Sequence, residues 1–353
     1  MLQLTDIEKQ YRSGDPSPDF TLSVPELTVG RGEFFALLGP SGCGKTTLLK
    51  VVAGLIPAEG GRVWFDGREW TDLPPEKRGF GMVFQEPLLF PHMTVKENVA
   101  FGLKMRGWGK KKRELRAGEW LDSVGLDGLE SRLPSELSGG QQQRVSLARA
   151  MAIQPRVLLM DEPFSALDPQ LREKMRVLLK QLHQEHQMTI LFVTHDREEA
   201  FYLADRIGIL TEGRLLQADR PRNLYEKPSH PEVARFLGLR NVIAGRMEQS
   251  RFHSAEIQLP MEGARPGKGW LVLYPECFRL NPSKSDSSTI PFRVTIREVI
   301  FRTGYYSIQA EVGNLALNIR ERPTLKPPRP GEQRTAFYPV SKLHWIPEEK
   351  GGE

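Results

Sequence analysis

Gly39-Pro40-Ser41-Gly42-Cys43-Gly44-Lys45-Thr46 stands between the apolar run Phe34-Phe35-Ala36-Leu37-Leu38 and the segment Thr47-Leu48-Leu49-Lys50-Val51-Val52-Ala53. The apolar run reads as a buried strand, and the segment after the loop reads as a helix ending near Gly54. The glycines let backbone N–H groups close around phosphate oxygens, and the helix start adds roughly half a positive charge. In this G-x-x-x-x-G-K-[ST] pattern, Lys45 is expected to contact the β- and γ-phosphates and the Thr46 hydroxyl to bind Mg²⁺. Cys43 fills a position that takes a small side chain and needs no redox role.

Working outward, Val157-Leu158-Leu159-Met160 is a second apolar run, and it ends in Asp161 and Glu162. A strand of this kind puts both acids at the carboxyl edge of a parallel sheet, beside the phosphate loop. Asp161 is expected to hold Mg²⁺, and Glu162 to polarise an attacking water as general base. By itself such a pair also suits a helix cap; the loop at Gly39–Thr46 is what gives it weight. Leu137-Ser138-Gly139-Gly140-Gln141 opens a helix running to about Ile153, and Ser138 and Gln141 have the S-x-x-Q spacing of a capping box. With two glycines exposing N–H groups, that helix start is a second anion site lacking a lysine.

The remaining chain fixes the fold class. Leu171, Met175, Leu178, Leu179 and Leu182 line one helix face, with Asp168 as N-cap and Pro169 at the first helical position. Thr189–Val193 follows as a short β-branched run. Helices alternating with such runs predict an α/β sheet. Leu2, Leu4, Phe20, Leu22 and Val24 alternate as short strands around a Gly14-Asp15-Pro16 loop, and Arg62–Phe65 enters a hairpin turn at Asp66-Gly67. After about residue 235 the helical signal fades. Trp270–Tyr274, Phe292–Ile300, Tyr305–Val312 and Leu315–Ile319 read as strands, and 326–330 (Lys-Pro-Pro-Arg-Pro) as a loop. Residues 243–353 are therefore expected to form a small all-β domain, with a linker near Gly238–Ile243.

Composition sets outer bounds. The chain has 353 residues, 39% hydrophobic and 26% charged, which is globular rather than disordered. Lys plus Arg is 49 against 44 for Asp plus Glu, a net +5 that permits an anionic partner without naming one. No apolar run approaches the roughly 18 residues that cross a bilayer. Asp6 and Glu8 near the start argue against a secretory leader. Two cysteines, Cys43 and Cys277, make neither a disulfide framework nor a zinc site.

Taken together, Gly39–Thr46, Leu137–Gln141 and Val157–Glu162 resemble the motifs of an ABC-type ATPase cassette, a P-loop NTPase fold with a helical subdomain. The resemblance covers about 1–235, with the helical subdomain at about 86–150. Gln85 matches the family's Q-loop, which senses Mg²⁺. Ser165-Ala166-Leu167-Asp168 matches the D-loop, His195 the switch histidine that reaches the γ-phosphate or attacking water, and Tyr11 an aromatic stacked on adenine. The resemblance implies nucleotide contacts from Gly39, Ser41, Gly42, Cys43, Gly44, Lys45, Thr46 and Thr47, and Mg²⁺ held by Thr46, Gln85 and Asp161. It also implies a head-to-tail homodimer, each ATP lying between one subunit's loop and the partner's Ser138, Gly139, Gly140 and Gln141.

A single cassette with a β-rich tail is similar to the ATPase subunits of bacterial binding-protein-dependent importers, whose tails are small OB-like regulatory barrels. That implies two integral-membrane permease subunits, a substrate-binding protein, and a peripheral place on the cytoplasmic face of the inner membrane. No nucleic-acid partner is expected. Leu271–Leu280 resembles a tail strand usually reading R-P-E, with Tyr274 replacing the arginine; Phe337–His344 fits the last strands. Gln85–His92 and His195–Ala200 look closest to importers of ferric iron, molybdate or sulfate, with polyamine and sugar importers as alternatives. A rival of another class is a soluble ATP switch or nucleic-acid-binding protein. Lys110–Arg113 with Arg116 reads as a solvated helix start near Trp108, with contact to lipid headgroups as the alternative, and Phe301, Tyr305 and Tyr306 read as core packing, with base stacking as the alternative.

Overall fold

The computed structural model describes residues 1–11, 20–280, 288–323 and 327–348. The Gly14–Pro16 loop and Lys326 lie outside the described residues. The chain divides into two compact units, Met1–Leu224 and Tyr225–Glu353.

The first unit runs β1 (Leu2–Tyr11), β2 (Phe20–Val29), β3 (Phe34–Leu38), α1 (Lys45–Ala53), β4 (Gly60–Phe65), β5 (Arg68–Glu69), α2 (Pro75–Arg78), β6 (Gly81–Val83) and α3 (Val95–Met105). It continues α4 (Lys110–Ser123), α5 (Gly139–Ala152), β7 (Val157–Asp161), α6 (Pro169–His186), β8 (Thr189–Thr194), α7 (Arg197–Leu203), β9 (Arg206–Thr211) and β10 (Arg214–Asp219), and ends within α8 (Pro221–Glu226), whose last two residues belong to the second unit. One mixed sheet has the order β5-β4-β1-β2-β10-β9-β3-β8-β7-β6. Its half β9-β3-β8-β7-β6 is parallel. Every residue of β3, β7 and β8 is buried, which is why these strands read as unbroken apolar runs rather than alternating ones. β1, β2 and β4 pair antiparallel and alternate. The β4–β5 turn places Asp66 at φ 51° and Gly67 at φ 76°, the two positive values a tight hairpin turn requires.

Helices α3, α4 and α5 pack on one another. Thr94 closes a full capping box with Glu97 at the start of α3. The amide of Asn98, buried, hydrogen-bonds Phe90, Met93 and Thr94 and so shapes the loop leading into that helix. The Lys110–Arg113 run does begin a helix, α4, with the Lys112 ammonium 4.4 Å above the Trp108 ring. Among the described residues no helix is long and apolar enough to cross a membrane.

The second unit holds α9 (Pro231–Phe236), β11 (Asn241–Glu248), β12 (Arg251–His253), β13 (Gln258–Pro260), β14 (Gly267–Leu273), β15 (Arg279–Leu280), β16 (Thr289–Arg302), β17 (Tyr305–Val312), β18 (Leu315–Glu321), β19 (Gln333–Pro339) and β20 (His344–Pro347). They form two antiparallel five-stranded sheets, β13-β12-β11-β14-β20 and β15-β19-β16-β17-β18, around a shared apolar core that includes Phe252, Leu271, Phe292, Ile308 and Tyr338. Asn241, buried, ties the sheets together. Its amide donates to Leu273 O at 3.0 Å and Asn318 O at 2.8 Å, and its Oδ1 accepts from Asn318 N at 2.7 Å.

Three expectations are revised. The linker expected at Gly238–Ile243 is part of a packed domain: Ala234 and Leu239 are buried with Val272, Tyr274 and Ile346, and β11 begins at Asn241. Leu271–Leu280 is not one strand. β14 stops at Leu273 because Pro275 has no N–H to continue the ladder, and a single turn, Pro275–Cys277, precedes β15. Tyr274, in the place of the arginine, donates its hydroxyl to Glu226 O at 2.7 Å and is a packing residue. Phe301 is not core: it is 62% exposed. β16 has 14 residues and overruns the core, so Phe301 sits near the hairpin tip with the Tyr306 ring edge-on at 5.3 Å. Tyr305 lies under the Arg320 guanidinium at 4.4 Å.

Candidate functional site

The Gly39–Thr46 loop leaves the carboxyl end of β3 and runs into α1, whose N-cap Gly44 has φ 103°. A Cβ at Gly39 would lie 2.1 Å from Leu210 O, so the turn admits no side chain there. Lys45, 4% exposed, bends back and donates to Gly39 O and Pro40 O, both at 2.9 Å. Its Nζ also stands 4.0 Å from Glu162 Oε1. Cys43 is buried beside it, and burial pushes its thiol pKa up, away from the reactive thiolate. Ser41 and Gly42 are exposed on the loop, and Thr47 is half-buried in the first turn of α1.

β7 brings the acids to this loop. Thr46 donates its hydroxyl to Asp161 Oδ1 at 2.8 Å. Burial raises the Asp161 pKa, the Thr46 hydrogen bond opposes that rise, and Glu162 adds to it. A hydroxyl and a carboxylate side by side are the hard oxygen donors that suit Mg²⁺. Glu162 follows with φ 42°, a left-handed conformation uncommon for a residue with a side chain. Its N–H continues the ladder to Val193 O at 2.9 Å, and its Oε2 lies 2.8 Å from Nδ1 of His195, just past the end of β8. Three neighbouring parallel strands, β3, β8 and β7, thus deliver Lys45, His195 and the Asp161–Glu162 pair to one edge.

Other expected residues are more dispersed. Gln85 lies just past β6 and is exposed; among the described residues no hydrogen bond joins it to Thr46 or Asp161. Tyr11 ends β1, 45% exposed, with the Phe20 ring at 6.4 Å. Asp168 caps α6 through Leu171 N at 3.0 Å. Ser138 caps α5 in a complete box, accepting from Gln141 N at 3.3 Å while Gln141 Oε1 accepts from Ser138 N at 2.8 Å. The adjacent glycines differ. A Cβ on Gly139 would meet nothing within 4 Å, whereas one on Gly140 would lie 2.0 Å from Leu171 Cδ2. Among the described residues no hydrogen bond joins this turn to Gly39–Thr46.

Two residues beside the site carry no motif that singles them out. Glu199, 3% exposed, accepts from Thr194 Oγ1 at 2.7 Å, and Arg172 donates to Leu167 O at 3.0 Å. The Asp196-x-x-Glu199 spacing at a helix start is the one signal for the former; the latter is visible only once α6 and α7 are folded.

The sequence matches the family model described as ABC transporter over residues 22–165. The sulfate/thiosulfate import ATP-binding protein of Bacillus cereus is 40% identical over 317 residues, 88% of this chain and 87% of its own length. The spermidine/putrescine import ATP-binding protein of Acidothermus cellulolyticus is 43% identical over 312 residues, 85% of this chain and 81% of its own. The Fe(3+) ions import ATP-binding protein of Rhizobium meliloti is 42% identical over 289 residues, 80% of each chain. Among solved structures, a dimeric ATP-binding cassette in a post-hydrolysis state bound to ADP and Pi matches with TM-score 0.57 and 34% identity, covering 63% of this chain and 99% of that one. With the motifs gathered at one sheet edge and relatives matched along most of their length, the chain belongs to the ATP-binding subunits of ABC transporters.

Proposed function

We propose that this chain is the ATP-hydrolysing subunit of a bacterial importer, acting as a head-to-tail homodimer on two permease subunits served by a substrate-binding protein. The reading is carried by one observation: Lys45, Thr46, Asp161, Glu162 and His195 meet at the carboxyl edge of one sheet. In it, the loop amides and Lys45 bind the β- and γ-phosphates. Thr46 and Asp161 hold Mg²⁺ with Gln85, and the metal when bound neutralises charge on the phosphate oxygens. Glu162 accepts the proton of the attacking water, with His195 orienting its carboxylate through the 2.8 Å contact. Ser138–Gln141 faces the partner's ATP, Asp168 lies at the dimer interface, and Tyr11 stacks on adenine. The cassette takes the first unit, Met1–Leu224, and the second unit, from Tyr225, regulates it.

The permease surface is assigned to Pro87–Met105. Leu88 is 54% exposed there at φ 44°, and Arg149 holds its carbonyl and that of Pro87 at 2.8 and 2.9 Å. Beside it lies a cleft of about 530 Å³ lined by Met93, Lys96, Ala100, Phe101 and Lys104. A permease partner puts the chain on the cytoplasmic face of the inner membrane. An inorganic ion such as sulfate, ferric iron or molybdate is the proposed cargo class, in line with the named sulfate and iron relatives; the polyamine relative keeps that class as the alternative.

Exchange of Glu162 for Gln tests the mechanism. Turnover is expected to fall roughly 10²–10⁴-fold, the scale of losing a positioned base, while ATP now traps a dimer visible by light scattering. Near-normal hydrolysis by Glu162→Gln removes that residue from its role.

A further inference from the structure

Thr194 and Asp196 flank His195, and both are pinned from the side by α6 and α7. Thr194 Oγ1 donates to Glu199 Oε2 at 2.7 Å and accepts from Asp196 N at 3.0 Å. Asp196 Oδ1 caps α7, accepting from Glu198 N at 2.8 Å. Arg172, in the first turns of α6, spans the gap to the Ser165–Asp168 turn by donating from one terminal nitrogen to Leu167 O at 3.0 Å. Its other terminal nitrogen stands 3.7 Å from Asp196 Oδ2, and its Nε stands 3.8 Å from Glu199 Oε1.

Both distances are ion pairs just beyond hydrogen-bond reach. The Nε–H is buried without an acceptor, a condition that costs free energy until a bond forms. Burial also raises the Glu199 pKa, so the carboxylate gains from any cation that closes on it. A movement of a few tenths of an ångström to one ångström, carried by the Ser165–Asp168 turn, suffices to convert both contacts into hydrogen bonds. Arg176 pairs with Glu173 and stands 3.9 Å from Glu198, on the outer side of the same helix pair.

We propose that Arg172 and Glu199 are a positioning pair that ties the His195 loop to the Ser165–Asp168 turn, so that the approach of His195 to Glu162 depends on where that turn sits. The pair acts through Thr194 and Asp196. The proposal rests on the reading of His195 and Glu162 as hydrolytic residues.

The test is steady-state ATP hydrolysis by the full chain, with Arg172→Gln and Glu199→Gln made in the native background and in a His195→Ala background. Glu199→Gln keeps an oxygen acceptor for Thr194 and so leaves the fold intact, which thermal melting checks. Each variant is expected to lower kcat roughly tenfold with KM for ATP held within about twofold, a fraction of the loss for a missing base. In the His195→Ala background neither is expected to lower kcat further by more than about twofold. Arg172→Lys, which keeps the charge, recovers part of the loss. Equal losses in both backgrounds overturn the proposal in favour of a merely structural role, and unchanged kcat in the native background overturns it outright. Should His195→Ala itself retain full turnover, the reading of His195 fails, and the pair's role falls with it.

Discussion

Glu162 is bent away from its strand at φ 42°, and the bend is what turns its carboxylate from the sheet toward His195. Such a backbone costs on the order of 1 kcal/mol. Lys45 shows the complementary economy: its buried ammonium is held by the carbonyls of Gly39 and Pro40, inside the loop proposed to take a phosphate. Lys45→Ala removes a charge-assisted donor and is expected to weaken ATP binding roughly 10- to 10²-fold, read by calorimetric titration; retained tight binding contradicts the loop's assignment. Asp161, Glu162 and His195 could be placed from sequence because they follow apolar strand runs, and Lys45 because it closes the Gly39–Thr46 loop between a strand and a helix. Arg172 and Glu199 were not, since their meeting depends on how two helices dock. Phe301 was misread as core because alternation along β16 does not say where the sheet's partner layer stops.

Among the elements, the parallel strands announced themselves by burial on both faces, whereas β9 hid behind Gly208, which interrupts its apolar run. The capping box at Ser138 was readable from spacing alone and is present in full. The two glycines after it serve different ends. Gly140 lets α5 start against Leu171 of α6, where a methyl group would sit 2.0 Å from Cδ2. Gly140→Ala is therefore expected to cost about 1–3 kcal/mol by overpacking, while Gly139→Ala, facing open space, leaves stability within about 1 kcal/mol. Urea denaturation of the two variants separates them; equal midpoints refute the packing argument.

At the scale of the whole molecule, two units share one chain, and the first has no membrane-crossing helix among its described residues. A transport ATPase of this build is expected to be recovered from membranes with two integral membrane proteins when purified in mild detergent. Recovery instead with RNA or ribosomes favours the rival reading as a nucleic-acid-binding protein. The β character of the second unit was legible from its alternating runs, yet its reach back to Tyr225 was not, because Ala234 and Leu239 reveal their partners only when folded. Nor did any pattern mark Asn241, two of whose three hydrogen bonds cross from one sheet to the other. Those bonds have a consequence for solvent exchange. The Asn318 amide proton is held by a side chain on the opposite sheet, so deuterium reaches it only when the sheets part, and its exchange rate reports the opening of the entire barrel rather than the fraying of one strand.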